Sequence, residues 1–299
     1  MVQEATMRPR LFGGLFLLIF ILGIFALQMA FPSAAMAEGG ITDTPAEAVA
    51  ATPSSSAISG SSTYALINVP EKGVLSVRMG PGGWYKRLGG LEATTIGVPL
   101  TGNVSGKFPN IWLEVQHNPV QKGWISSYYV IEYVKPDDFC KDDRVKTVIT
   151  DFAASVSATD GQKAANLVSP LHGVTVRVWR TGAALNYLKY AQYLFTGTYK
   201  VNWGFKPGTL KAEYGGLKDS VYPRLKDVFT AKYELYCNDF SKISLIPKPW
   251  PAEYKNVNFY LVYKPESGTG KNDWHAWIVG IDYLDHKPYL FSLTNIEPE

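Results

Sequence analysis

The side chains of this chain best equipped for chemistry are four histidines, two cysteines and a group of aromatics set next to glycine-rich turns. His117, His172, His275 and His286 are isolated from one another. None stands at the H-x-x-x-H or H-x-x-E spacing that places two metal ligands on one helical face, so no metal site is expected. Asp273 and His275 lie two apart, and in a strand two such side chains project to the same face, where they could act as general acid and base. Asp282 and Asp285 follow nearby. The ordinary reading of the Asp273/His275 pair is a polar cluster where a strand meets a turn. The chain has no G-x-S-x-G elbow and no phosphate-cradling loop, so no catalytic residue and no cofactor is assigned, and a non-enzymatic role is expected. The binding candidates are Arg78, Trp84, Tyr85, Trp112 and Tyr128. Rings of this kind stack on a sugar or pack an extended peptide, and the competing reading is that Trp124 and one of Trp112 or Tyr85 fill a small core.

These candidates are held by elements with a period of two. In residues 73–83, GVLSVRMGPGG, Leu75, Val77 and Met79 alternate with Ser76 and Arg78, which predicts a half-buried strand running into the Gly80-Pro81-Gly82-Gly83 turn. Residues 110–116, NIWLEVQ, repeat the alternation with Ile111, Leu113 and Val115 inward and Trp112 on the other face. Residues 121–130, QKGWISSYYV, supply a third strand. The V-R-x-G-P-G segment, the aromatic at Tyr85, the W-x-x-V strand from Trp112 to Val115 and the closing G-W-I at Gly123–Ile125 occur in an order that resembles bacterial Src-homology-3 (SH3b) domains. The resemblance covers residues 64–134. It implies a small SH3-like β-barrel that binds rather than reacts.

The N-terminus carries an export signal. Arg8 and Arg10 precede the apolar run Leu11–Phe31, and Ala35-Met36-Ala37 offers an A-x-A cleavage site. The run is also long enough to span a bilayer, so residues 1–37 are either a signal peptide or an uncleaved membrane anchor, and the remainder is expected outside the cytoplasm in either case. No cysteine follows the run to accept a lipid. Residues 38–63 are small and polar, with no aromatic as far as Ser62, and read as a disordered linker. In an oxidising compartment Cys140 and Cys237, the only two cysteines, are expected to form one disulfide. The Asp-Cys-Ser-Gly-like context of envelope cysteine peptidases surrounds neither of them. A net charge of +3 with no basic run longer than two residues gives no reason to expect nucleic acid as a partner.

Past Pro136 the period changes. Val145, Val148, Ile149, Phe152 and Val156 predict a helix over 142–158 with one buried face. A short helix follows, with Thr159 and Gln162 at capping-box spacing and Pro170 as its stop. GVTVRVW (173–179) reads as a strand and Val221, Leu225, Val228 and Phe229 as a helix with Pro223 in its first turn. The chain then ends in three strands within 257–263, 274–283 and 288–294. No element is assigned within 180–219. This order predicts an α+β domain over 135–299, with helices on a curved antiparallel sheet. The helix pair, the Val168-Ser169-Pro170 and Gly173-Val174 pieces and the strand resemble the opening of nuclear-transport-factor-2-like domains, which implies a ligand cavity.

Together these readings predict an exported cell-envelope binding protein, tethered to the membrane only if its first helix is retained, whose barrel engages cell-wall polymer or an envelope protein. Two alternatives stay open. The C-terminal domain is the active part, as a small-ligand sensor or hydrolase, or the protein is a structural envelope scaffold.

Overall fold

The computed structural model describes residues 63–299 apart from 180–181, 207, 210, 247, 269–271 and 299. The expected export signal or anchor and nearly all of the expected linker therefore lie outside the described residues. No helix among the described residues is long and apolar enough to cross a membrane. The fold is mixed α+β and rich in sheet.

The first part is built from seven short strands: β1 (Tyr64–Leu66), β2 (Val74–Arg78), β3 (Arg87–Glu92), β4 (Leu100–Ser105), β5 (Trp112–Asn118), β6 (Gln121–Ser126) and β7 (Val130–Glu132). Strands 2 to 6 form an antiparallel sheet in the order β3-β2-β6-β5-β4, and β1 pairs with β7 separately. Leu75, Val77, Leu113, Val115 and Ile125 are buried in its core together with Leu66, Val69, Val98 and Val130. For β2 and β5 that is the alternation expected. The expected closed barrel is not formed, because β3 and β4 remain edges of the sheet. Their sequences, RLGGLE and LTGNVS, explain this: Gly89, Gly90 and Gly102 bring no side chain to pack, and both strands are largely exposed or half-buried. An isolated bridge from Ala65 to Ile96, with backbone hydrogen bonds beside it, ties β1 to the connection between β3 and β4.

The second part opens with α1 (Pro136–Lys141), α2 (Asp143–Ala158) and α3 (Gly161–Ala165). The five predicted apolar positions of α2 are all buried. The capping of α3 differs from the Thr159/Gln162 expectation. Thr159 takes a left-handed conformation that ends α2, and Asp160 is the cap, its carboxylate accepting the Lys163 N–H. Asp competes well as an N-cap, so the box read one residue early. Next come β8 (Val174–Arg177), β9 (Ala184–Tyr187), β10 (Val201–Phe205), β11 (Ala212–Gly215) and α4 (Tyr222–Phe229), then β12 (Glu234–Cys237), β13 (Phe259–Lys264), β14 (His275–Leu284) and β15 (Lys287–Ile296).

Six of these strands form one sheet in the order β12-β13-β14-β15-β8-β9. It is mixed rather than wholly antiparallel as expected, because β8 runs parallel to β15. Hydrophobic periodicity places β8 in the interior, where Val174, Val176 and Val178 are fully buried, but carries no information on direction. Apolar residues of α2 and α4 pack with Val174, Val176, Val262, Trp277, Val279 and Leu293 in the largest core. The unassigned stretch 180–219 holds β9 and the separate β10-β11 hairpin. Its Trp203 is fully buried and donates from its indole N–H to the Gly215 carbonyl oxygen.

Cys140 and Cys237 form the expected disulfide, joining α1 to the edge strand β12 across a sequence separation of 97 residues. A closed loop of that length contributes about 4–5 kcal/mol in the chain-entropy model. The two parts of the fold are also packed on each other. Ala65, Ile67 and Ile131 from β1, its flank and β7 share a buried cluster with Tyr254, Val257 and Phe291.

Candidate functional site

The outer face of the first sheet carries a groove. On β2 the inward Leu75 and Val77 leave Ser76 and Arg78 facing the other way, and on β5 the inward Leu113 and Val115 do the same for Trp112. Trp112 is paired with Ser126 of β6. These residues, with Tyr129 and the Asn68–Pro70 and Gly73–Leu75 segments, line a groove of about 730 Å3. Of the binding candidates, Arg78 and Trp112 line it.

Trp84 and Tyr85 rise from the turn at the end of β2. Their rings are 5.7 Å apart, and Arg78 fixes the turn by donating from Nη1 to the Tyr85 carbonyl oxygen at 2.8 Å. The glycines explain how two large rings fit. A side chain at Gly80 would meet the Tyr85 ring at 2.6 Å and one at Gly82 would meet the Trp84 ring at 2.7 Å, so both rings fold back over bare backbone. Trp84 nevertheless remains 83% exposed, which leaves its faces open to a partner. Tyr128 is 47% exposed and packs edge-on against the groove-lining Tyr129 at 5.1 Å. Gly83, next to Trp84, also lines the groove. The structure thus brings Arg78, Trp112 and Tyr129 into the groove and sets Trp84, Tyr85 and Tyr128 beside residues that line it.

Two positions depart from the alternation. Met79 was expected inward and is 57% exposed, because the register shifts between Val77 and Arg78 and β2 ends there. Trp124 is only half-buried, opposite Arg78 and Glu114, and does not belong to the sheet's core.

Asp273 and His275, weighed above as a possible acid-base pair, are not bonded to each other. Asp273 accepts from the Ser267 N–H at 2.9 Å and from its hydroxyl at 2.5 Å, and these bonds hold its carboxyl below the usual range. The partner of His275 is Asp227 of α4, whose Oδ2 is 2.5 Å from His275 Nδ1, while its Oδ1 receives Lys264 Nζ at 2.6 Å. Burial works against the Asp227 charge, but the bonds from Lys264 and His275 outweigh it and hold the carboxyl below its ordinary value. The Asp227/His275 pair lines a cavity of about 260 Å3 with Pro223, Arg224, Asn295 and Glu297. Arg224 is already held by Glu213 and Glu297. Asp227 and Arg224 went unnoticed in the sequence because α4 reveals only its apolar face.

His172 and Asp282 are brought together at the contact between the two parts. His172 Nδ1 is 2.7 Å from Asp282 Oδ2 and its Nε2 is 3.1 Å from the Ser127 carbonyl oxygen. Both ring nitrogens face acceptors, an arrangement that favours the doubly protonated imidazolium. Burial opposes that charge, but the Asp282 carboxylate and its hydrogen bond prevail and raise the His172 pKa. The Ser169 hydroxyl donates to the same carboxylate oxygen at 2.5 Å and accepts the His172 N–H. Ser, His and Asp meet here, yet the serine bonds the aspartate rather than the imidazole, and the His172 and Asp282 side chains are each 1% exposed. The group is a structural latch with no route for a substrate. His286 pairs with the buried Glu132 of β7 across the same contact, and Asp285 precedes it in the turn with a left-handed backbone. His117 lies over Gly89 at the sheet edge, its ring 2.4 Å from where a side chain there would begin. Among the described residues no three His, Cys, Asp or Glu side chains are grouped to hold a metal ion.

A second set of exposed aromatics, Tyr190, Tyr193, Tyr199, Phe205 and Tyr214, lies in the stretch that sequence periodicity left unassigned. Comparison with protein-family models, characterised proteins and solved structures found no match to this chain.

Proposed function

We propose that this is an exported cell-envelope binding protein whose first sheet, an SH3-like unit, engages an extended cell-wall polymer or an envelope partner. The observation that carries this reading is the groove of about 730 Å3 lined by Arg78, Trp112 and Tyr129 and flanked by the exposed Trp84. The aromatic walls of the groove suit sugar rings, and the Arg78 guanidinium supplies donors for the carbonyls or carboxylates of attached peptides. The order of the export signal, the linker and the SH3b-like motifs supports the same location. The second part of the fold holds this sheet in place.

The test is cosedimentation with purified peptidoglycan. Trp84→Ala combined with Trp112→Ala is expected to reduce the bound fraction at least about tenfold, the worth of one or two stacking contacts, without lowering the unfolding temperature. An unchanged bound fraction, or no binding by the parent chain, would remove this reading.

A second reading has its own observation. His275, oriented by Asp227, lines a separate cavity with Arg224, Asn295 and Glu297, an arrangement suited to a small polar ligand or to general-base work. In a sensor or hydrolase of this kind the tryptophan substitutions would leave function intact, whereas His275→Gln would abolish it.

A further inference from the structure

We propose that Arg177, Thr294 and Lys248 form a binding site for a small monoanionic carboxylate, on the face of the six-stranded sheet away from α2 and α4. The register sets the site. Arg177 of β8 and Thr294 of β15 are paired neighbours in the one parallel ladder of the sheet. Neighbours in register project to the same face, so both side chains reach one cavity.

On that face the segment carrying Lys248, Pro249, Pro251 and Glu253 encloses a cavity of about 190 Å3 with these two residues. Arg177 gives Nη2 to Glu253 Oε1 at 2.9 Å. Its Nε is buried and has no hydrogen-bond partner among the described residues, and the Thr294 hydroxyl is in the same condition. Thr294 itself is 1% exposed. Ser292, two residues earlier on the same face of β15, adds a third buried hydroxyl without a partner.

Buried polar groups are nearly always paired, so two such groups at one cavity define the chemistry that completes it. The Arg177 Nε–H can only donate, and the Thr294 hydroxyl can donate beside it. The complement is a pair of acceptor oxygens, which a carboxylate presents in one plane. Charge selects between oxyanions. Arg177 and Lys248 bring two positive charges to the cavity and Glu253 brings one negative charge, so a single net positive charge remains. That balance fits a monoanion and disfavours a dianionic phosphate. The volume admits a group of a few heavy atoms, such as a free carboxylic acid or the carboxylate end of a longer molecule. This site is separate from the aromatic groove and does not depend on the reading given to that groove.

The experiment uses the full chain in mild detergent, with the thermal unfolding midpoint followed against sodium acetate, sodium phosphate and sodium chloride at constant ionic strength. Acetate is expected to raise the midpoint in a saturable way relative to chloride, and phosphate to raise it less. Thr294→Val keeps the shape of the side chain and removes an unpartnered hydroxyl. It is expected to fold, to be at least as stable as the parent, and to bind acetate about tenfold more weakly. Lys248→Gln, on the exposed rim, should weaken the acetate response without altering the midpoint in chloride. It keeps the test decisive should the valine variant fail to fold. A response to acetate no different from chloride, or the same response in Lys248→Gln and Thr294→Val as in the parent, would overturn the site and leave the two donors to water. A stronger response to phosphate than to acetate would overturn its assignment to a monoanion.

Discussion

The buried His172 and Asp282 charges are the residues whose alteration the fold should feel most. Each is 1% exposed, and the pair is completed by Ser169 and by the Ser127 carbonyl oxygen from the other part of the fold. Removing one partner strands the other charge in the interior, so Asp282→Ala is expected to cost about 3–5 kcal/mol in chemical denaturation. The pH dependence follows from the raised His172 pKa. A histidine that holds its proton more tightly when folded contributes fully below its unfolded pKa of about 6.5. That contribution declines as pH rises from about 6.5 towards the folded value, by at most about 1.4 kcal/mol per unit. Unfolding free energies measured between about pH 6 and 9 should therefore fall with pH in the parent chain and stay flatter in His172→Gln. Parallel profiles would show that the imidazolium is not the source. Neither residue could be paired from sequence, since 110 positions separate them and both sit in otherwise apolar surroundings.

At the level of elements, what could be read from sequence divides along physical lines. Positions fixed by a local period came out where expected. The helix over 142–158, the alternation of β5 and the Trp112 face depend only on which side of one element is greasy. Direction, register and closure depend on distant partners, and there the expectations needed correction. The parallel β8, the bulge that turned Met79 outward and the open edges at β3 and β4 are of this kind. The His275 partner belongs here too, because the competing Asp273 was a neighbour in sequence and Asp227 sits on a helix 48 positions away. The candidate site divides in the same way. Its aromatics were legible from the turn and strand motifs, while the groove they border is set by the pairing of β2, β6 and β5. The Gly80-Pro81-Gly82-Gly83 turn gives an element-scale test. A methyl group at residue 80 would fall 2.6 Å from the Tyr85 ring, and that ring, being the far end of a flexible side chain, can swing away. Gly80→Ala should thus leave stability within about 1 kcal/mol of the parent while displacing Tyr85 and Trp84 from the groove edge. Tyr85 ring signals in NMR spectra and polymer cosedimentation would both change if the turn positions the rings, and neither would change if it does not.

At the scale of the whole molecule, the described residues belong to one compact unit within 50–299, and the seam between its two parts explains why. Ala65, Ile67 and Ile131 leave the first part with an apolar face that is buried against Tyr254, Val257 and Phe291 of the second, with Trp250 packed on the same cluster. Polar groups close around it. The Asn256 side-chain amide donates to the Leu66 carbonyl oxygen, the Asn68 N–H donates to the Glu253 carbonyl oxygen, and His286 meets Glu132. A seam with an apolar cluster at its centre and hydrogen bonds around it couples the stability of the two sheets. Phe291 is the side chain that tests this. It is 1% exposed and sits edge-on to both Tyr254 at 5.0 Å and His172 at 6.0 Å, so Phe291→Ala should cost about 3–5 kcal/mol. The ring belongs to β15, yet the coupling predicts that amide hydrogens of β1 and β7 lose exchange protection together with those of β15. Were the first sheet to keep its protection while β15 loses it, the two parts would be independent, and the groove would owe nothing to the domain behind it.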